Sequence, residues 1–175
     1  MKKSVLLLFF AGCVATGIFG IGRKIPMNRV NDLGQREGYW RDSVGGGFVY
    51  DLYYKGGKKD GLYKRFYRNK LFLFGEYTAD NISGTWYMFG DEGELRCTID
   101  SIEFNKDSIY TGYPCCRIFC KYKCHSIDYY PSGAVKSEGY MVCDEEFEIE
   151  IWEIGEWKYY DESGNLIKTK DYGDR

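Results

Sequence analysis

Proline is scarce, with three in 175 residues, and histidine occurs once, at His125. So little proline excludes a proline-rich linker or module. A lone imidazole gives a Ser or Cys nucleophile at most one base, and no neighbour in sequence orients it. Charge of one sign is missing too: 24 Lys and Arg against 26 Asp and Glu leave a formal net charge of −2. The whole-molecule field therefore gives no argument for nucleic acid as a partner. Amphipathic stretches of helix length are absent after residue 25, which argues against a helical domain. What is abundant is ring and glycine: 17 Tyr, 18% aromatic residues overall and 22 Gly. Short aromatic runs broken by Gly, Asn and Asp favour strands and turns, so the expected fold class is all-β.

Charge is unevenly distributed. Lys55 to Lys70 carries seven basic residues and one acidic, a local +6, whereas Asp144 to Glu156 carries seven acidic residues and no basic one. Runs of this kind serve as solvated faces and loops, or make a two-ended molecule whose poles meet different partners.

The first twenty residues read as an export signal. Met1-Lys2-Lys3-Ser4 is a positive start, Val5 to Phe10 an apolar run, and Ala11-Gly12 are small residues before Cys13. Phe10-Ala11-Gly12-Cys13 is similar to a lipoprotein signal, which would make Cys13 a lipid anchor. Cleavage after Gly17, or retention of Val5–Ile21 as a span at the lower limit of length, are the other outcomes. Each places the body outside the cytoplasm, with residues 21–30 as a linker.

A repeat occupies the remainder. Gly-x-aromatic recurs at Gly38-Tyr39-Trp40, Gly61-Leu62-Tyr63, Gly84-Thr85-Trp86 and Gly155-Glu156-Trp157, and Trp40, Tyr63 and Trp86 are spaced by 23 and 23. Counting from each anchor as zero, an aromatic falls at +3 in Phe66, Phe89 and Tyr160, a glycine at +7 in Gly47, Gly93 and Gly164, and an aliphatic at +9 in Val49, Leu95 and Leu166. A degenerate copy anchored at Ile127 has Tyr130, Gly133, Val135 and, at +12, Gly139. Asp-Glu-Gly93, Pro-Ser-Gly133 and Glu-Ser-Gly164 put glycine where a tight turn needs positive φ. Each unit is thus expected to be a β-hairpin whose anchor strand precedes the turn. One hairpin buries too little to persist, so neighbouring units must join into a continuous sheet, with the aromatic rows as its structural core.

Gly61-Leu-Tyr-Lys-Arg-Phe-Tyr67, Tyr129-Tyr-Pro-Ser-Gly-Ala-Val-Lys-Ser-Glu-Gly139 and Gly155-Glu-Trp-Lys-Tyr-Tyr-Asp-Glu-Ser-Gly-Asn-Leu166 resemble the bacterial variant of the MORN (membrane occupation and recognition nexus) repeat. The resemblance covers roughly residues 31–99 and 125–170; Ser43 departs from it in the first copy and Lys70 replaces the turn glycine in the second. It implies an elongated, twisted antiparallel sheet used for scaffolding, protein contact or attachment to membranes. Some bacterial members carry an antitoxin label. The family supplies no catalytic residue.

Between Trp86 and Ile127 the period stretches to 41, and the added passage holds Cys115, Cys116, Cys120, Cys124 and His125. Four thiols and an imidazole raise zinc. On a strand, however, residues four apart are separated by about 13 Å, too far for one tetrahedral ion. Cys116, Ile118, Cys120, Tyr122 and Cys124 alternate with Arg117, Phe119, Lys121 and Lys123 as a strand would, and C-x₂-C pairs are missing, so no metal site is expected. With Cys13 lipidated or removed, Cys97, Cys115, Cys116, Cys120, Cys124 and Cys143 form either disulfides or buried free thiols. Glu146-Phe-Glu-Ile-Glu-Ile151 also alternates strictly, as a half-solvated strand. Its side chains on alternate residues stand about 7 Å apart, and no calcium loop accompanies them.

The expected organisation is a signal or anchor (1–20), the linker, a first block of hairpins (31–104), a cysteine-rich insertion (105–124) and a second block with the acidic strand (125–172). The expected role is a non-catalytic binding or scaffold module of the bacterial envelope, needing no cofactor, reaching the membrane through its N-terminus and contacting protein rather than nucleic acid or a small-molecule substrate. An immunity-type protein that covers a partner is the alternative. An enzyme has raw material only in the acidic strand and the cysteine passage.

Overall fold

A computed structural model describes residues 26–106, 110–113, 116–118, 120–144 and 152–173 of the chain. Among these, every regular element but one short 3₁₀ turn, Gly45–Gly47, is a strand. They are β1 (Arg29–Val30), β2 (Arg36–Val44), β3 (Phe48–Lys55), β4 (Lys58–Tyr67), β5 (Lys70–Thr78), β6 (Asn81–Phe89) and β7 (Leu95–Phe104). There follow β8 (Tyr110–Tyr113), β9 (Cys116–Ile118), β10 (Tyr122–Tyr129), β11 (Val135–Cys143), β12 (Trp152–Tyr160) and β13 (Leu166–Asp171). Eleven of them form one open antiparallel sheet in the order β1-β2-β3-β4-β5-β6-β7-β10-β11-β12-β13, while β8 and β9 pair separately. The all-β class expected from the composition is the class found.

Anchor residues sit on β2, β4, β6, β10 and β12, each followed by its hairpin partner. Two kinds of turn recur. Gly90–Glu94, Tyr130–Ala134 and Asp161–Asn165 share one design: the first amide donates to the fifth carbonyl and the glycine amide to the first carbonyl, at 2.8–3.0 Å, with Gly93, Gly133 and Gly164 at φ 84°, 85° and 83°. That is the three-residue hairpin with a left-handed glycine. At three other turns two residues suffice. Gly56–Gly57, Arg68–Asn69 and Ala79–Asp80 are consecutive pairs at positive φ, the mirror-type turn that matches strand twist. Where the second unit has Lys70 in place of glycine, Asn69 tolerates the left-handed conformation and the turn closes earlier. A further turn, Asn31–Gln35, precedes the first anchor and joins β1 to β2.

Because the sheet is a meander, its turns fall at two ends. The turns after anchor strands share one end; Asn31–Gln35, Gly56–Gly57 and Ala79–Asp80 lie at the other. The segments joining β7 to β10 and β11 to β12 also leave from that second end, so both enlargements emerge side by side. β10 takes in Tyr122, Lys123 and Cys124, which the sequence pattern assigned to the insertion.

In two of its copies the Gly-x-aromatic motif proves to be a bulge. Gly84-Thr85-Trp86 stands opposite the single residue Gly75, between the pairs Phe74↔Tyr87 and Glu76↔Ser83. Gly155-Glu156-Trp157 stands opposite Gly139 in the same way. Gly84 and Gly155 adopt φ 65° and 59°, which side chains rarely allow, and the bulge tips the indole across the preceding strand. A Cβ built on Gly75 would lie 2.1 Å from the Trp86 ring and one on Gly139 2.5 Å from Trp157. Each +12 glycine is therefore a seat for the next anchor's indole. Where the next anchor is the smaller Tyr63, position +12 is Leu52, paired directly with it. Laid flat in this way, Trp86 reaches 0% exposure on a sheet with no second layer among the described residues.

One face of the sheet thus carries a continuous core of Leu52, Tyr63, Leu73, Tyr77, Ile82, Trp86, Ile99, Tyr122, Cys124, Met141, Cys143 and Trp157. A smaller cluster of Cys120, Val142 and Ile154 is separate from it.

Candidate binding groove

The core face is hollowed in two places. Near the first hairpins, a hollow of about 350 Å³ is lined by the rings of Trp40, Tyr50, Tyr54, Tyr63, Tyr77 and Trp86, with Lys59 and Asp42 at its polar points. The rings touch edge to face: Trp40 and Tyr54 at 5.9 Å and 72°, Tyr77 and Trp86 at 5.3 Å and 89°. This is the arrangement the ring quadrupole favours. Cations lie over the same rings. The Arg36 guanidinium is 4.5 Å from Trp40 and 5.1 Å from Tyr54, and it donates to the Tyr54 hydroxyl at 2.8 Å and to Asp42 at 3.2 Å. Lys59 Nζ sits 4.7 Å over Tyr77. Arg65, only 6% exposed, lies over Phe48 at 4.3 Å, Tyr50 at 5.2 Å and Phe72 at 5.5 Å. The basic run between Lys55 and Lys70 therefore contributes aromatic-stacked cations to this face as well as solvated charge.

Further along, a hollow of about 690 Å³ extends from Phe72 and Met88 to Met141 and Trp157. Its floor carries a polar strip. Ser137 Oγ donates to Asp128 at 2.8 Å, Cys97 Sγ and Ser126 Oγ are 3.3 Å apart, and Glu153, Lys136 and Arg96 add charge to its lining. Burial pushes the Cys97 thiol up to about 12, outweighing the opposing hydrogen bond from Ser126. A thiol so held is protonated at neutral pH and is a poor nucleophile. The arrangement can grip apolar and aromatic groups and orient a few polar ones; it assembles no activated nucleophile from the groups named.

The cysteine passage divides between faces. Cys124 and Cys143 are fully buried in the main core with their sulfurs 3.4 Å apart. Cys120 leaves the expected alternation and packs with Val142 and Ile154. Cys97, Cys120, Cys124 and Cys143 are free thiols; Cys116 opens β9, and Cys115 and Cys13 lie outside the described residues. His125 and Cys124 are sequence neighbours on opposite faces, so they do not form a dyad. His125 Nδ1 instead faces Asp100 Oδ1 at 3.4 Å, with Tyr140 edge-on to its ring at 5.3 Å. Among the described residues no group of three or more His, Cys, Asp or Glu could hold a metal ion.

The repeat positions take distinct places. Tyr63, Trp86 and Trp157 are buried, and Trp40 is half-buried at the rim of the first hollow. The +3 rings of Phe66, Phe89, Tyr130 and Tyr160 are half-buried; Tyr130 donates to the Tyr160 carbonyl at 2.9 Å and Tyr160 to Glu138 at 2.5 Å. At +9, Leu95 and Val135 are half-buried, whereas Leu166, on the edge strand β13, is 55% exposed. The acidic strand Glu146–Ile151 lies outside the described residues.

Several groove residues carry no motif. Arg36, Lys59 and Arg65 differ from other basic residues only in standing across from aromatic positions, a signal visible once register is known. Met141 and Ser126 are likewise placed by pairing alone. Among the described residues no helix is long and apolar enough to cross a membrane. No protein-family model matches the chain, and no curated protein matches it.

Proposed function

We propose that the chain is an exported, non-catalytic binding module of the bacterial envelope, built from variants of the MORN repeat and held at the membrane through Cys13. In this reading it binds a segment of another protein along the aromatic face. The observation that carries it is the hollowed face of a one-layer sheet, where Trp40 and Tyr54 keep half-buried rings beside Arg36 and Lys59. Rings and stacked cations together suit a peptide that offers aromatic or apolar anchors with a few carboxylates. The large apolar area on one side of the sheet supports binding more than chemistry, and the raised Cys97 thiol argues against a nucleophile there.

Two measurements test the reading. Labelled palmitate should enter the full chain and be lost in Cys13→Ser, with globomycin causing the unprocessed form to accumulate; no incorporation overturns the lipid anchor. Partners captured from the native envelope should be lost with Trp40→Ala and Lys59→Glu and retained with the reverse-face variant Tyr53→Ser. Equal capture by all three overturns the groove as the binding surface.

A further inference from the structure

We propose that Cys124 and Cys143 are a built disulfide site, closing across β10 and β11 at the root of both enlargements. The sulfurs already stand 3.4 Å apart, so a bond of about 2.05 Å needs an approach of roughly 1.4 Å. Cys124 pairs directly with Met141 and Cys143 with Tyr122, which makes the two cysteines diagonal neighbours. The right-handed twist of an antiparallel pair draws such side chains together along one diagonal. Among the described side chains, the other two thiols are excluded by position. Cys97 is spent on Ser126 at 3.3 Å, and Cys120 belongs to the cluster with Val142 and Ile154.

Placement gives the bond a purpose. Cys143 is the last residue of β11, just before the segment 144–151, and Cys124 lies just inside β10 after the segment 105–121. A crosslink there ties the two strands together where both long connections leave the sheet, at the end that has no tight turn between β10 and β11. The remaining tie at the far end is the Tyr130–Ala134 turn.

Oxidation is an exchange with a disulfide of the glutathione or protein-oxidant class. One thiolate of the pair attacks the oxidant's disulfide and releases its first thiol; the second thiolate then attacks the mixed disulfide and releases the second thiol. Two protein protons and two electrons leave, and one S–S bond forms. Both side chains have no exposed surface, so the exchange belongs to folding or to local opening of this hairpin rather than to the closed state. A persistent bond inside a cell also rests on the export reading, because the cytoplasm keeps thiols reduced.

The test refolds the full chain from denaturant in oxidised and reduced glutathione, alkylates the free thiols and maps the digest without reductant. The expected result is a crosslinked peptide pair containing Cys124 and Cys143, two fewer alkylated thiols and slower proteolysis of the 120–144 region. Cys97→Ser should leave the crosslink intact, and Cys143→Ala should free Cys124. Alkylation of both cysteines after refolding in excess oxidant, or a crosslink joining either to another cysteine, overturns the site. A second arm traps thiols in cells at harvest. If the crosslink forms on refolding but the pair is reduced in cells, the site stands and the export reading falls.

Discussion

Replacing Gly75 by alanine tests the physical basis of the repeat. The added methyl would lie 2.1 Å from Cδ2 and 2.4 Å from Cε2 of Trp86, where carbon contacts settle at about 3.5 Å or more. The indole must move about 1.4 Å, yet it has 0% exposure and donates from Nε1 to the Ser83 carbonyl at 3.1 Å. Overpacking of this kind costs roughly 1–3 kcal/mol. Complete expulsion of the ring sets a ceiling of about 4–6 kcal/mol, from ~150–250 Å² of buried surface at ~25 cal/mol per Å². Alanine recovers about 0.5–1 kcal/mol of the strand's backbone entropy, so the expected loss is about 1–2 kcal/mol. Urea unfolding followed by circular dichroism should show a lower midpoint at unchanged slope. In a Trp86→Leu background the same Gly75→Ala change should cost less than about 0.5 kcal/mol, a coupling near 1 kcal/mol. The natural precedent is Leu52 beside Tyr63. A neutral Gly75→Ala, or additive effects in the cycle, would refute the idea that the glycine is a seat for the ring. Gly139→Ala against Trp157 repeats the experiment at a second site.

Other consequences are as specific. Leu73→Ala, at 2% exposure, should destabilise by about 2–5 kcal/mol, and Leu166→Ala, at 55%, by less than about 0.5 kcal/mol, both read from urea midpoints. Arg65→Lys should lose about 1–2 kcal/mol in the same assay, because an ammonium does not reproduce a guanidinium stacked on Phe48, Tyr50 and Phe72. The Asp161 carboxylate is held below its ordinary value by hydrogen bonds from the Asn165 side chain and amide and from the Ser163 amide. A lowered folded pKa contributes stability that is present above the unfolded value of about 3.9 and lost as pH falls through the folded one. The protection of the Ser163 and Asn165 amides, measured relative to their intrinsic exchange rates, should therefore fall on acidification, and Asp161→Asn should flatten that profile.

Much of the fold was legible because its signals are local. Positive-φ glycines at Gly93, Gly133 and Gly164 mark turns by chemistry alone, and the spacing of Trp40, Tyr63 and Trp86 marks the hairpin period. What stayed hidden depends on register. The seat at Gly75 cannot be seen until Trp86 is placed across from it, although Gly139 at the same offset from Ile127 was visible without a meaning. Asn69 closed a turn in the unit where Lys70 stands in place of the turn glycine. Cys120 shifted to another cluster because its stretch does not continue β10, so strict alternation from Cys116 to Cys124 was the wrong inference from a correct pattern. Lys59 and Arg65 were read as part of a charge run because sequence distance says nothing about which ring lies across the sheet.

The order of pairing has a kinetic corollary. Every ladder of the large sheet except β7 with β10 and β11 with β12 joins strands separated by a short turn, and β7 with β10 spans the longer gap. Short closures form in microseconds and can start at several places along the chain, whereas a closure over residues 105–121 must wait for its ends to meet. Two blocks should then appear early and dock late, with the β7–β10 seam as the slow step and the first to open under stress.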